Sequence, residues 1–207
     1  MTRVKVCGIT RAEDARLAAA LGAAAVGFIF WPESPRYVDP SRVRAIVGQL
    51  PPFVTPVGVF VNQPVDHVLA VARLARISAV QLHGDESAND YVPLGYRVIK
   101  AVPIRSADDR AAARAVPASA TVLLDAFDPA RRGGTGQPVD WTIAASIARE
   151  RPVVLSGGLT AGNVAAALRD VAPYAIDVSS GVEDAPGVKS AGRLREFFAA
   201  VERTELV

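Results

Sequence analysis

The stretch PVVLSGGLTAGNVAAALRDVAPYAIDVSSG, residues 152–181, decides the fold. It opens on an apolar β-rich run at 152–155 and breaks at Ser156-Gly157-Gly158. It continues in a segment of helical period at 161–170, then returns to a second β-rich run at 175–178. Short continuous apolar runs of this kind read as strands buried on both faces. A helix between two of them is the crossover that parallel pairing requires. The unit closes on Ser179-Ser180-Gly181.

Working outward, the same unit recurs from end to end. Strands are expected at 4–7, 24–30, 55–60, 79–82, 97–101 and 121–124, and helices at about 11–21, 41–50, from Pro64, from Glu86, through 108–115, at 140–149 and at 190–202. Thr10 with Glu13 three residues on has the spacing of a capping box for the first helix. Eight strand–helix units with no compositional break predict a single-domain (β/α)8 TIM barrel over residues 1–207, with a doubly wound open sheet as the alternative. At 207 residues the chain is near the short end for a barrel, so most loops must be brief. The two longer segments, 31–40 and 126–138, both follow a strand, on the face where barrels place their chemistry.

Composition removes several classes of function. Lys and Arg total 23 against 21 Asp and Glu, without a clustered basic excess, which excludes nucleic acid as a partner. Cys7 is the single cysteine, so no intramolecular disulfide can form, as suits a reducing cytoplasm. One Cys and two His are too few soft ligands for a structural zinc site, and no metal is expected. The N-terminus enters a strand pattern directly, without a signal-peptide core. The apolar stretch 17–30 is interrupted by Gly22 and Gly27 and is too short to span a bilayer. A cytoplasmic protein with no membrane partner is expected, as a monomer or a homodimer. No Walker loop is present and no Gly-x-Gly-x-x-Gly follows the first strand, so no nucleotide or nicotinamide cofactor is implied.

The residues that bear chemistry sit at strand ends. Gly157, Gly158, Ser180 and Gly181 follow the seventh and eighth strands, where barrels commonly bind phosphate through free backbone N–H groups. The alternative is that they only make tight turns. A third cluster, Gly133-Gly134-Thr135-Gly136, follows the sixth strand and Arg131-Arg132. It reads either as a lid or third wall of that site, or as a surface loop.

Cys7 ends the first strand, with Lys5 two residues earlier on the same side. A thiol there can serve as a base, with Lys5 favouring the thiolate or binding substrate, or it can be an inert core residue. Asp125 follows the apolar run Val122-Leu123-Leu124, and a carboxyl on an apolar floor suits a general acid. The alternative is a loop cap. Gln81 and His83 alternate with Leu82 and so share a face, placed to bind a ligand or to hold a loop. Arg36, next to Pro35, has the paired donors of a carboxylate clamp, if it is not an ordinary surface arginine. Asp177 can accept from a sugar hydroxyl or anchor a loop.

Taken in order, several segments together resemble the phosphoribosylanthranilate isomerase family. They include Lys5-Val6-Cys7-Gly8-Ile9-Thr10, Ser34-Pro35-Arg36-Tyr37-Val38, Gly58-Val59-Phe60-Val61-Asn62 and Val80-Gln81-Leu82-His83-Gly84-Asp85-Glu86. They continue through Leu124-Asp125, Gly133-Gly134-Thr135-Gly136, Asp140-Trp141, Ser156-Gly157-Gly158-Leu159, Asn163-Val164 and Asp177-Val178-Ser179-Ser180-Gly181-Val182-Glu183. Two positions depart from the family pattern: Ser156, where Ala is frequent, and Ser190, where Asp is common.

The resemblance implies a cofactor-free Amadori rearrangement of phosphoribosylanthranilate in tryptophan biosynthesis. It implies Asp125 as general acid, Cys7 as general base, Arg36 on the anthranilate carboxylate, and the backbones at Gly157, Gly158, Ser180 and Gly181 on the phosphate. The rival readings are another phosphosugar barrel enzyme, such as a metal-dependent epimerase or an indole-glycerol-phosphate synthase, a dual-substrate isomerase that relies on two aspartates, and a non-catalytic phosphosugar-binding barrel.

Overall fold

The computed structural model describes residues 2–106, 108–126 and 140–205. The chain runs β1 (Arg3–Val6), α1 (Ala12–Ala20), β2 (Ala25–Ile29), α2 (Pro40–Val47), β3 (Thr55–Phe60), α3 (Val65–Ala75), β4 (Ala79–Leu82), β5 (Arg97–Ile104) and α4 (Asp109–Ala115). It continues through β6 (Thr121–Ala126), α5 (Trp141–Ala148), β7 (Val153–Leu155), α6 (Val164–Val171), β8 (Ala175–Val178), the short strands β9 (Glu183–Ala185) and β10 (Val188–Lys189), and α7 (Ala191–Glu205). Strands β1 to β8 pair in sequence order and close into a barrel, so the open-sheet alternative falls. Closure is made by parallel pairing of β1 with β8, which sets Lys5 opposite Asp177.

Two apolar layers hold the barrel. Outward-facing Val6, Val26, Phe28, Val80, Leu82, Val122, Leu124, Leu155 and Ile176 are fully buried between strands and helices. Each Val or Leu taken from water in this way contributes about 1.5–3 kcal/mol. Inside, Ala101, Leu123, Val154 and Ala175 form a separate cluster with Ile99 packed on it. Side chains two residues apart on a strand share a face. Leu123, Val154 and Ala175 are therefore followed, on the inner face and toward the C-terminal ends, by Asp125, Ser156 and Asp177. The interior cluster is the apolar floor of whatever those groups do.

Two local expectations are corrected. The helix expected from Glu86 is replaced by two 3-10 turns, Ala88–Asp90 and Val92–Leu94. Pro93 lacks the N–H that a continuing helix needs, and Gly95 ends the segment at φ 82. Thr10 does not cap α1: the N-cap position is Arg11, without a side-chain cap bond, and the Thr10 hydroxyl donates to the Gly187 carbonyl at 2.5 Å. A tertiary acceptor has won over the local one. The turn Ser180–Val182 and the β9–β10 hairpin, which the periodicity did not show, lie in the chain between β8 and α7. Among the described residues no helix is long and apolar enough to cross a membrane.

Candidate active site

The site is assembled at the C-terminal ends of the strands, around a cavity of about 490 Å³ lined by Cys7, Arg36, Gln81, His83, Asp125 and Asp177 among others. Lys5 and Cys7 project inward together from β1 and its end. The register that closes the barrel places Asp177 beside Lys5, and Lys5 Nζ lies 2.9 Å from Asp177 Oδ2, both side chains 6% exposed. Gly27 on β2 makes the room: a Cβ there would fall 2.7 Å from the Cys7 sulfur and 3.1 Å from Lys5 Cε.

Burial alone would push the Lys5 ammonium down, but Asp177 and the thiol together outweigh it and hold Lys5 above its ordinary pKa. Burial pushes the Cys7 thiol up, and Lys5 draws it only part of the way back. The cation therefore moderates the thiol and does not by itself make it a standing thiolate. Asp177 Oδ1 is buried and has no protein partner among the described residues.

Across the cavity, Asp125 ends up inside the C-terminal part of β6. Its Oδ1 accepts the N–H of Ala126 at 2.9 Å, and its Oδ2 lies 3.1 Å from His83 Nε2. Gln81 Nε2 lies 2.9 Å from His83 Nδ1. The expectation that Gln81 and His83 share a face holds, but their hydrogen bonds run to each other and to Asp125.

Arg36 differs from a free clamp. Its Nε and Nη2 hold the Glu183 carboxylate, with Nη2 2.7 Å from Oε2, and the same carboxylate takes Lys189 Nζ at 2.7 Å. The guanidinium also lines the cavity. Burial pushes Glu183 up, yet its bonds to Arg36 and Lys189 prevail and hold it below the usual carboxylate range. Neither Glu183 nor Lys189 was singled out in the sequence. The available signal was Glu183 as the last residue of the 177–183 segment. Removing one partner of a buried pair leaves an uncompensated charge, and Lys189's side chain is 0% exposed. Glu183→Gln should therefore lower stability by about 3–5 kcal/mol, read as a fall in denaturant midpoint.

The glycine loops meet beside this cavity in a recess lined by Ser156, Gly157, Gly158, Ser179, Ser180 and Gly181. Gly157 and Gly158 take φ 85 and 64, which β-carbon-bearing residues rarely adopt. Asn163 braces the loop: its amide donates to the Gly158 carbonyl at 2.9 Å and its oxygen accepts from Thr160 N–H at 2.8 Å. Gly181 is required by close approach, since a Cβ there would stand 1.9 Å from the Leu159 carbonyl oxygen. The expected third wall, Gly133 to Gly136 with Gly134 as a substrate contact, lies outside the described residues. Among the described residues no three His, Cys, Asp or Glu side chains come together as metal ligands.

The whole of this architecture has known counterparts. A family model described as N-(5′-phosphoribosyl)anthranilate (PRA) isomerase matches residues 4–200. The chain belongs to this family. An N-(5′-phosphoribosyl)anthranilate isomerase of Pelobacter propionicus is 46% identical over 204 residues, 99% of this chain and 97% of that protein. The phosphoribosyl anthranilate isomerase structure from Thermus thermophilus superposes with a TM-score of 0.89 at 44% identity, covering 97% of this chain and 98% of the other. A further isomerase structure, solved with reduced 1-(o-carboxyphenylamino)-1-deoxyribulose 5-phosphate, gives a TM-score of 0.87 at 40% identity over 98% of this chain and 100% of the other.

Proposed function

We infer that this chain isomerises N-(5′-phosphoribosyl)anthranilate to 1-(2-carboxyphenylamino)-1-deoxyribulose 5-phosphate, a step of tryptophan biosynthesis carried out in the reducing cytoplasm, where a lone thiol stays available. The single observation that carries the mechanism is the placement of Cys7 and Asp125 on one cavity from strands three apart round the barrel. Asp125 protonates the furanose ring oxygen, and the nitrogen lone pair expels it from C1 to give the ring-opened iminium. Cys7, as thiolate, removes the proton from C2, and the electron pair forms the enolamine. Its hydroxyl proton is lost as C1 is protonated, leaving the ketone. One acid and one base suffice for this sequence, and reactant and product have the same composition.

The remaining side chains bind. The cavity-lining guanidinium of Arg36 meets the anthranilate carboxylate, its geometry set in advance by Glu183. Backbone N–H groups at Gly157, Gly158, Ser180 and Gly181 hold the phosphate, which anchors the substrate remotely from the reacting carbons. Asp177 Oδ1 accepts from a ribose hydroxyl, and Lys5, besides holding Asp177, supports the thiolate. Gly134 is retained as a contact on the sequence alone.

The test is turnover of freshly generated phosphoribosylanthranilate, followed by loss of its fluorescence with a downstream synthase removing product. Loss well above the spontaneous rate is expected. Background loss with a folded protein would leave a phosphosugar-binding barrel as the better reading.

A further inference from the structure

Asp125 is the end of a chain of three side chains reaching back to β4. Its Oδ2 lies 3.1 Å from Nε2 of His83, and Nδ1 of His83 lies 2.9 Å from Nε2 of Gln81. An amide nitrogen only donates, so in this amide orientation the Nδ1 it meets is the acceptor and a neutral ring carries its proton on Nε2, aimed at the carboxylate. Gln81 is 1% exposed, and in this orientation its Oε1 has no partner among the described residues. Were the amide turned over, Oε1 would take the proton of Nδ1, and a neutral ring would have no Nε2 proton to offer Asp125.

We propose that Gln81 and His83 are positioning residues: Gln81 selects the Nε2–H tautomer of His83, and that N–H holds Asp125 Oδ2 at the cavity. The inference rests on the reading of Asp125 as the acid. With Oδ1 tied to the Ala126 N–H and Oδ2 to His83, the carboxyl has both oxygens fixed. As its proton passes to the ring oxygen, negative charge develops on a group already facing two oriented donors. Such hydrogen bonds strengthen as the acceptor becomes charged, and no reorganisation is needed at that moment. Neither Gln81 nor His83 has to touch substrate for this.

Steady-state kinetics of His83→Asn, His83→Gln and Asp125→Ala decide it. An Asn amide reaches only the Nδ1 position, whereas a Gln amide nitrogen takes the place of Nε2. His83→Asn is expected to lower kcat about 10- to 100-fold, the scale of a misplaced catalytic group, with KM nearly unchanged. His83→Gln is expected to recover most of that loss. The chain holds two histidines, so 15N-histidine spectra in a His67→Gln background show His83 alone. The Nε2–H tautomer is expected, and Gln81→Leu should weaken that preference.

An Nδ1–H tautomer in the parent overturns the proposal. Wild-type kcat in His83→Asn while Asp125→Ala is silent overturns it too and leaves the acid assignment standing. A raised KM at preserved kcat would instead make His83 a substrate contact. Wild-type turnover in Asp125→Ala would overturn the acid itself.

Discussion

Cys7→Ala is expected to lower kcat by about 10²–10⁴-fold, the usual contribution of a positioned proton-transfer group, with little change in KM or in thermal midpoint. The side chain is 6% exposed and small, so its loss leaves a minor gap at the mouth of the barrel and not a collapsed core. The pH dependence should identify the base. The thiol lies above its ordinary value because burial disfavours the thiolate, and Lys5 offsets only part of that. Only the ionised form is a base, so an ionisation above the ordinary thiol range should appear in the pH profile of kcat/KM for the free enzyme.

Lys5→Met removes the main group that lowers the thiol, so that ionisation should move to still higher pH. Cys7→Ala should abolish it. A profile in which Cys7→Ala leaves that ionisation in place, or full turnover without the sulfur, would remove Cys7 from the mechanism. A high-lying thiol is also the stronger base once ionised, which suits abstraction from carbon.

Asp125→Ala is expected to have an effect of the same order, about 10²–10⁴-fold in kcat, because ring opening then has no proton donor. Two features separate this from a general loss of structure. Asp125 stands above the apolar cluster of Leu123, Val154 and Ala175 without being part of it. Among the described residues its bonds are to one adjacent N–H and one His, so denaturant midpoints should stay close to the parent's. Binding of a reduced, non-reacting product analogue should survive, since the proposed phosphate and carboxylate contacts lie elsewhere. A variant that binds the analogue and turns over at the parent rate would mean that another group opens the ring.

What the sequence determined by itself was set by local periodicity. Apolar β-rich runs alternating with helical segments imply parallel strands and crossovers, and the run of eight units points to a barrel, with an open sheet as the alternative until β1 is seen to pair with β8. Alternation along a strand put Lys5 beside Cys7 and Gln81 beside His83, and the Leu123–Asp125 spacing put a carboxyl on an apolar floor. The segment after Glu86 misled because a helical reading of it ignored the missing donor of Pro93.

The tertiary structure decided the rest, and in each case the reason is a partner far away in the chain. Lys5 meets Asp177 across 172 residues because β8 closes on β1, and Arg36 meets Glu183 across 147 residues. Thr10 leaves its expected cap for Gly187, 177 residues on. Whether Lys5 or burial governs the thiol is equally a tertiary matter. A sequence shows that a cation is near, but the depth to which both groups are withdrawn from water emerges only when the barrel shuts around them.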